Sequence, residues 1–167
     1  FMHLDGYMDV CDAVLSRREL ATRQRILKDS HCGAFAVIGM VLLVLCQWSV
    51  FLSGSADESL WGLLLIPVAT RACAGLAVLK LRPMGTSQYA AMGRHGGYAA
   101  ALAVLLAAAI AVPLVTDRSF APLAAAAGYG LAVWYGFRQL DGMNGDISGF
   151  ALTLGELAGA AVWTLVR

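Results

Sequence analysis

The chain has 167 residues, 59% of them hydrophobic and 14% charged, with a formal net charge of +1 and a mean hydropathy of +0.70. Soluble domains average about 45–50% apolar and about 25% charged residues, so an ordinary water-soluble domain is excluded, and a near-neutral chain offers no electrostatic footprint for nucleic acid. The apolar excess lies in runs of roughly 20 residues, the length at which a helix crosses a bilayer, which predicts an all-α, polytopic integral membrane bundle.

In chain order, a motif helix over residues 1–15 comes first and carries Asp5, Asp9 and Asp12. Ser16–Asp29 is a polar, helix-compatible connection with Arg17, Arg18, Arg23, Arg25 and Lys28. Gly33–Leu52 is the first charge-free span. Residues 53–59 form a short acidic turn, and Leu60–Leu79, interrupted by Pro67 and Arg71, is the second span. A polar connection over 80–95, with Lys80, Arg82 and Arg94, leads to an Ala-rich third span, Gly96–Thr116. A tight turn at 117–119 precedes the fourth span, Phe120–Phe137, and a Gly-containing loop, Arg138–Asp146, precedes the fifth, Ile147–Val166. About five transmembrane helices plus the acidic motif helix are therefore expected, in one membrane-embedded domain over 1–167. The frequent Gly and Ala suit close helix packing. The chain opens on Phe1 inside a helical pattern, as expected of a piece whose earlier segments lie upstream. Four cysteines, at 11, 32, 46 and 73, have no metal-type spacing and are expected to be packing residues.

Orientation follows from charge. Lys and Arg in short loops favour the cytoplasm, and they concentrate in the 16–32, 80–95 and 138–146 connections. Those three connections are expected to share the cytoplasmic face, together with the C-terminal end of the acidic helix.

Spacings of four and three residues place Asp5, Asp9 and Asp12 on one helical face. The alternative is an exposed acidic face, but Leu4, Tyr7, Met8, Val10 and Ala13 make the rest of the helix apolar. An Asp at bilayer depth costs about 2.5–3.5 kcal/mol on insertion scales, so such a cluster calls for a cation. Mg²⁺ or Mn²⁺, bound through one or two carboxylates and completed by phosphate oxygens, answers that need. Asp29 or Ser30 can cap the helix starting near Gly33, and Lys28 can face a phosphate. His31 alone reads as an interfacial residue. Arg71, inside a span, is a site candidate or a snorkelling cation, and Pro67 one turn earlier can kink the helix. Asp141 and Asp146, in a Gly-rich loop before a helix, can complete the first site or hold a second metal, and Glu156 is a further intramembrane acid.

Three ordered motifs then carry a resemblance. They are His3-x-Asp5-Gly6-x-x-Asp9-x-x-Asp12-Ala13, Ile26-x-Lys28-Asp29-Ser30-x-x-Gly33-Ala34-Phe35, and Arg138-x-Leu140-x-Gly142-x-Asn144-Gly145-Asp146-x-x-Gly149, followed by Glu156. Together they resemble the cobalamin synthase (adenosylcobinamide-GDP ribazoletransferase) family, whose N-terminal segments would lie upstream of Phe1. The chain departs from the family pattern at His31 (Arg), Asp141 (Gly) and Asn144 (Thr). The resemblance implies a multi-pass cytoplasmic-membrane enzyme of the last assembly step of vitamin B12. It implies transfer of adenosylcobinamide phosphate from adenosylcobinamide-GDP to α-ribazole or its 5′-phosphate, with release of GMP and a requirement for Mg²⁺. Its site is expected to use Asp5, Asp9 and Asp146 as metal ligands and Asp12 as base or further ligand. Asp29, in the matched Lys-Asp-Ser, is expected among the catalytic residues, and Lys28, Arg71 and Arg138 would neutralise phosphate charge.

Two other classes compete. CDP-alcohol phosphotransferases also use helical Asp clusters and Mg²⁺, but their Ala-Arg pair and later Asp spacing are missing here. A cation transporter would explain intramembrane acids but not their gathering with a Gly-rich loop at one face.

Overall fold

The computed structural model describes residues 2–54, 60–85, 87, 89 and 96–165. The core of the expected acidic turn, residues 55–59, and Arg94 of the 80–95 connection lie outside the described residues. The described helices are α1 (Met2–Leu15), α2 (Leu20–Ile26), α3 (Ala34–Leu52), α4 (Leu60–Lys80), α5 (Gly96–Thr116), α6 (Ala121–Leu140) and α7 (Gly145–Leu165).

Four of them, α3, α4, α5 and α7, are long and apolar enough to cross a membrane. The expected fourth span forms as α6, 20 residues long, but Pro122, two tyrosines, Arg138 and Gln139 dilute its aliphatic content. Helix α6 also runs on past Phe137 to Leu140, so Arg138 sits in a helix and not in a loop. Helix α7 starts earlier than expected because Asn144 caps it: the Ile147 N–H donates to Asn144 Oδ1 at 3.0 Å. Asp146 therefore belongs to the first turn of α7.

Helix α7 is the centre of the bundle. Its apolar window is 61% buried inside the protein, against 17% for α3 and 11% for α5. It packs against α6, α1, α4 and α3. By contrast α3 turns Val37, Ile38, Val41, Leu42, Leu45 and Trp48 outward. A continuous apolar face of that extent suits lipid and not water. All four cysteines are free, and Cys32 and Cys46 are exposed, so only Cys11 and Cys73 pack as expected.

The connections sort to two ends. At one end α2 is tied to the end of α6: Arg23 donates to Gln139, and Gln24 Nε2 donates to the Leu140 carbonyl at 2.8 Å. At the same end residues 82–84 pair with the α6–α7 loop. Met84 N–H donates to the Met143 carbonyl at 2.8 Å and Met143 N–H to the Arg82 carbonyl at 2.9 Å, and Arg82 pairs with Asp141. Gly142 makes this possible, having φ +154° and leaving space that a Cβ would close to 2.7 Å from Met84 Cα. At the opposite end Gly54 lies against Thr164, and Gly62 against Ser119 and Trp163. The described parts of the three basic connections thus gather at one end of the bundle.

Candidate active site

The acidic helix meets α7 at a crossing built on glycines. A Cβ on Gly6 would stand 2.7 Å from Asp146 Cα, and one on Gly149 would stand 2.9 Å from the His3 carbonyl oxygen. The pairs 6/146 and 3/149 show that α1 and α7 run antiparallel here. Only glycine permits so close a backbone approach. It carries Asp146 to the helix that bears Asp5 and Asp9. Tyr7, on the adjoining face of α1, stacks on Phe150 of α7 with centroids 5.7 Å apart and donates its hydroxyl to the Gly39 carbonyl of α3 at 3.1 Å. Helix α1 is thereby fixed between two other helices.

The electrostatics of the crossing are unbalanced. Burial pushes the Asp9 carboxyl up to about 6, and the neighbouring charges of Asp5, Asp146 and Asp12 push in the same direction. Asp146 Oδ2 accepts one hydrogen bond from Asn144 Nδ2 at 2.7 Å. Asn144, the position of the family's Thr, thus both caps α7 and orients Asp146. Among the described residues, no three His, Cys, Asp or Glu side chains stand close enough to hold a metal ion by themselves. Hard oxygen donors of this kind fit Mg²⁺, which usually takes one or two carboxylates and fills its shell with phosphate oxygens and water.

Asp12 has a different environment. Its carboxylate accepts the backbone N–H groups of Gly33 and, at 3.0 Å, Ala36. It therefore caps α3 from another helix, the role the sequence offered to Asp29 or Ser30. Asp29 instead accepts the His31 N–H at 3.0 Å and pairs with His31 Nδ1 at 2.6 Å. This hydrogen bonding holds the exposed Asp29 carboxyl below the usual range. Lys28 is exposed in the same loop. Arg71 pairs with Glu156 across α4 and α7, and Thr70 Oγ1 adds a 3.3 Å hydrogen bond to the same carboxylate. Arg138 stacks its guanidinium over Trp134, 5.1 Å from the ring centroid. Asp141 ends α6 in the left-handed conformation, φ 57°, with its carboxylate on Arg82. Of the residues singled out in sequence, Asp5 and Asp146 lie close enough to Asp9 for their charges to act on it, without forming a three-carboxylate cluster; Arg71, Arg138 and Asp141 take partners elsewhere.

A cavity of about 870 Å³ opens beside the crossing. Its walls are largely apolar, from α4, α5 and α7, with Tyr89, Tyr98 and Arg71 among them. His3 and Ser148, each two residues from a member of the acidic group, line it as well. It has the size of an organic-ligand site.

The order of these parts along the chain has a counterpart in known proteins. The cobalamin-5-phosphate synthase family model matches residues 1–164. The chain belongs to that family. Among curated proteins it is 37% identical to the adenosylcobinamide-GDP ribazoletransferase of Clostridium perfringens strain 13, over 95% of this chain and 66% of that protein. It is 32% identical to the enzyme of that name from Geobacillus kaustophilus, over 98% of this chain and 67% of that protein. The chain thus spans about two thirds of the length of such family members. No solved structure matches it.

Sequence reasoning missed three contributors to the site. Gly6 and Gly149 set the helix crossing, and their signal was visible as glycines flanking the acids inside otherwise strong helices. Asn144 orients Asp146, and the signal was its position three residues before the first apolar residue of α7.

Proposed function

We propose that this family member performs the closing transfer of cobalamin assembly at the cytoplasmic face of the cell membrane. It takes adenosylcobinamide phosphate from adenosylcobinamide-GDP and passes it to α-ribazole or α-ribazole 5′-phosphate. The carrying observation is the glycine-built crossing that groups Asp5, Asp9 and Asp146 beside a large apolar cavity. Clustered carboxylates are costly in an apolar protein without a cationic partner, and a metal-bound diphosphate supplies one.

In this reading a ribazole hydroxyl oxygen attacks the phosphorus on the cobinamide side of the diphosphate. The new P–O bond forms as the bond to the bridging oxygen breaks, and GMP leaves with that oxygen. Asp5, Asp9 and Asp146 are the residues that would hold Mg²⁺, one or two of them as ligands with phosphate oxygens and water completing its shell. When bound, Mg²⁺ neutralises charge on the diphosphate oxygens. Asp12 takes the hydroxyl proton: its carboxylate has about four acceptor positions, and the α3 backbone uses two of them. Those two bonds also fix where it points. Lys28 contributes positive charge from the exposed loop. Arg71 and Arg138 already have partners in Glu156 and Trp134, and we assign them to the walls of the site. The apolar cavity takes the bulky, rimmed corrinoid portion, and the surrounding lipid keeps its mouth at the interface. The cytoplasmic orientation rests on the gathering of the three basic connections at one end.

The test supplies adenosylcobinamide-GDP, α-ribazole 5′-phosphate and Mg²⁺ to membranes containing the full-length protein. The expected result is a cobalamin product with one GMP per transfer. Product from a CDP-alcohol donor, with none from the GDP donor, overturns the reading.

A further inference from the structure

The arginines that follow α1 form a second charged constellation, and the reaction proposed above does not use it. A cavity of about 370 Å³ lies between the end of α1, α2 and the end of α6. Arg17, Arg18 and Arg23 line it together with Tyr135 and Gln139, and no carboxylate is among its described lining residues. A second opening of about 620 Å³ shares Arg17 and Arg18 and adds Arg25, with Glu19 as the one acid.

Three other arginines of the bundle have acceptors or a ring. Arg71 has Glu156, Arg82 has Asp141 and Arg138 has Trp134. No ion pair is formed by Arg17, Arg18 or Arg23 among the described residues. Arg23 is half-buried, and its guanidinium is tied at one corner to Gln139, yet its Nε is buried with no hydrogen-bond partner. A buried donor left unpaired is rare in folded proteins, and it leaves this guanidinium short of an acceptor. Arg17 adds to the pattern: it ends α1 in the left-handed conformation, φ 51°, where glycine or asparagine would rest without strain. Three like charges are thus held around one hollow, and among the described residues only Arg23 spends part of its guanidinium, on Gln139. Guanidinium forks match the tetrahedral oxygens of phosphate.

We propose that Arg17, Arg18 and Arg23 form a phosphate-binding site, separate from the acidic crossing. Arg17 lies beyond the end of α1 at Leu15, past the turn that carries Asp9 and Asp12. The ligand is a phosphate ester, presented either by the headgroup of an anionic phospholipid or by a soluble phosphate compound. The site stands whether or not the transfer reaction is the one proposed.

The experiment uses the full-length protein in phosphatidylcholine nanodiscs, in three arms at matched ionic strength. One arm replaces a fifth of the lipid with phosphatidylglycerol, one adds inorganic phosphate, and one adds chloride. Thermal unfolding and lipid retention by native mass spectrometry are read for the wild type and for the variant R17Q/R18Q, whose exposed changes leave the Arg23–Gln139 tie in place. The expected result is stabilisation by phosphatidylglycerol or by phosphate over chloride, with apparent affinity about tenfold weaker in the variant. Response to phosphatidylglycerol alone assigns the site to lipid, and response to inorganic phosphate assigns it to a soluble ester. Equal behaviour of phosphate, phosphatidylglycerol and chloride in the wild type overturns the proposal, and so does an unchanged response in the variant. If the variant is lost from the membrane, Arg23→Lys, which keeps the charge and removes the fork, is read in its place against the same criteria.

Discussion

Two regions of this bundle hold charge among apolar helices, and they solve the problem in opposite ways. Between α4 and α7, Arg71 and Glu156 neutralise each other, with Thr70 bonded to the same carboxylate. Nothing further is required there. Between α1 and α7, glycines bring carboxylates toward one another, and among the described residues Asp9 forms no ion pair. An ion pair closed within the fold leaves no charge unanswered, whereas like charges brought together by backbone packing are the arrangement on which the proposed metal site rests. The same helix α7 supplies one member to each region, Glu156 and Asp146.

The largest effect that sharpens this contrast is expected at Asp9. Asp9→Asn should lower transfer by at least about 10²-fold, the range for loss of an electrostatic or metal-holding group. It should leave the protein in the membrane at normal abundance. In chelator the same variant should unfold at a slightly higher temperature than wild type, because it removes one charge from a like-charged group. That opposition of activity and stability is the signature of a functional acid. Measuring GMP release and thermal unfolding side by side tests it. Wild-type transfer by the variant would return Asp9 to the role of a surface charge.

Glu156→Gln should behave in the reverse sense. It leaves Arg71 without its counter-charge between two helices. Fully buried pairs lose about 3–5 kcal/mol on such truncation, and with side chains 49% and 34% exposed the expected cost is smaller, about 1–2 kcal/mol. Transfer per folded molecule should stay within about twofold if the pair is only architectural. The check is an unfolding midpoint in detergent together with activity normalised to folded protein. Lost transfer at unchanged stability would move Arg71 and Glu156 into the chemistry, which is where the sequence first put Arg71.

Much of this was legible before the structure. Helix positions followed from runs of apolar residues, because each lipid-facing helix such as α3 must be apolar over most of its surface. The grouping of the three basic connections followed from charge alone. The acidic helix was legible from the spacing of Asp5, Asp9 and Asp12. What spacing could not say is that these three residues part company. Asp12 turns to the start of α3, while Asp5 and Asp9 face α7. A helical face is continuous in sequence, but its neighbours are set by tertiary packing, here by Gly6 against Asp146 and by Gly33 and Ala36 against Asp12. Arg71 and Arg138 were read as free charges for the same reason: partners 85 residues away or one turn back in a longer α6 leave no mark in local pattern. The loop reading of Asp146 failed on one side chain, since Asn144 starts α7 early enough to take Asp146 into its first turn.

The smallest expected effect is in pH, and it separates the two regions without any mutation. The Asp9 carboxyl is raised from 3.8 to about 6 in the folded protein by burial and by Asp5, Asp146 and Asp12. A raised carboxyl favours the protonated folded form. Its contribution to stability in chelator is therefore full below pH about 4 and is lost as pH rises through about 6. A divalent cation competes with that proton and should reverse the trend. Below pH about 6 the Mg²⁺ concentration for half-maximal transfer should rise by up to about tenfold per pH unit, one proton being displaced per ion. Asp9→Asn should flatten the stability slope, whereas Glu156→Gln should leave it in place, since Glu156 is not among the charges acting on Asp9. A chelator-dependent unfolding series from pH 4.5 to 7.5 reads the slope. If the slope survives in Asp9→Asn, the proton belongs to another carboxyl of the crossing, and the division between a closed ion pair and an open acidic site must be redrawn around that residue.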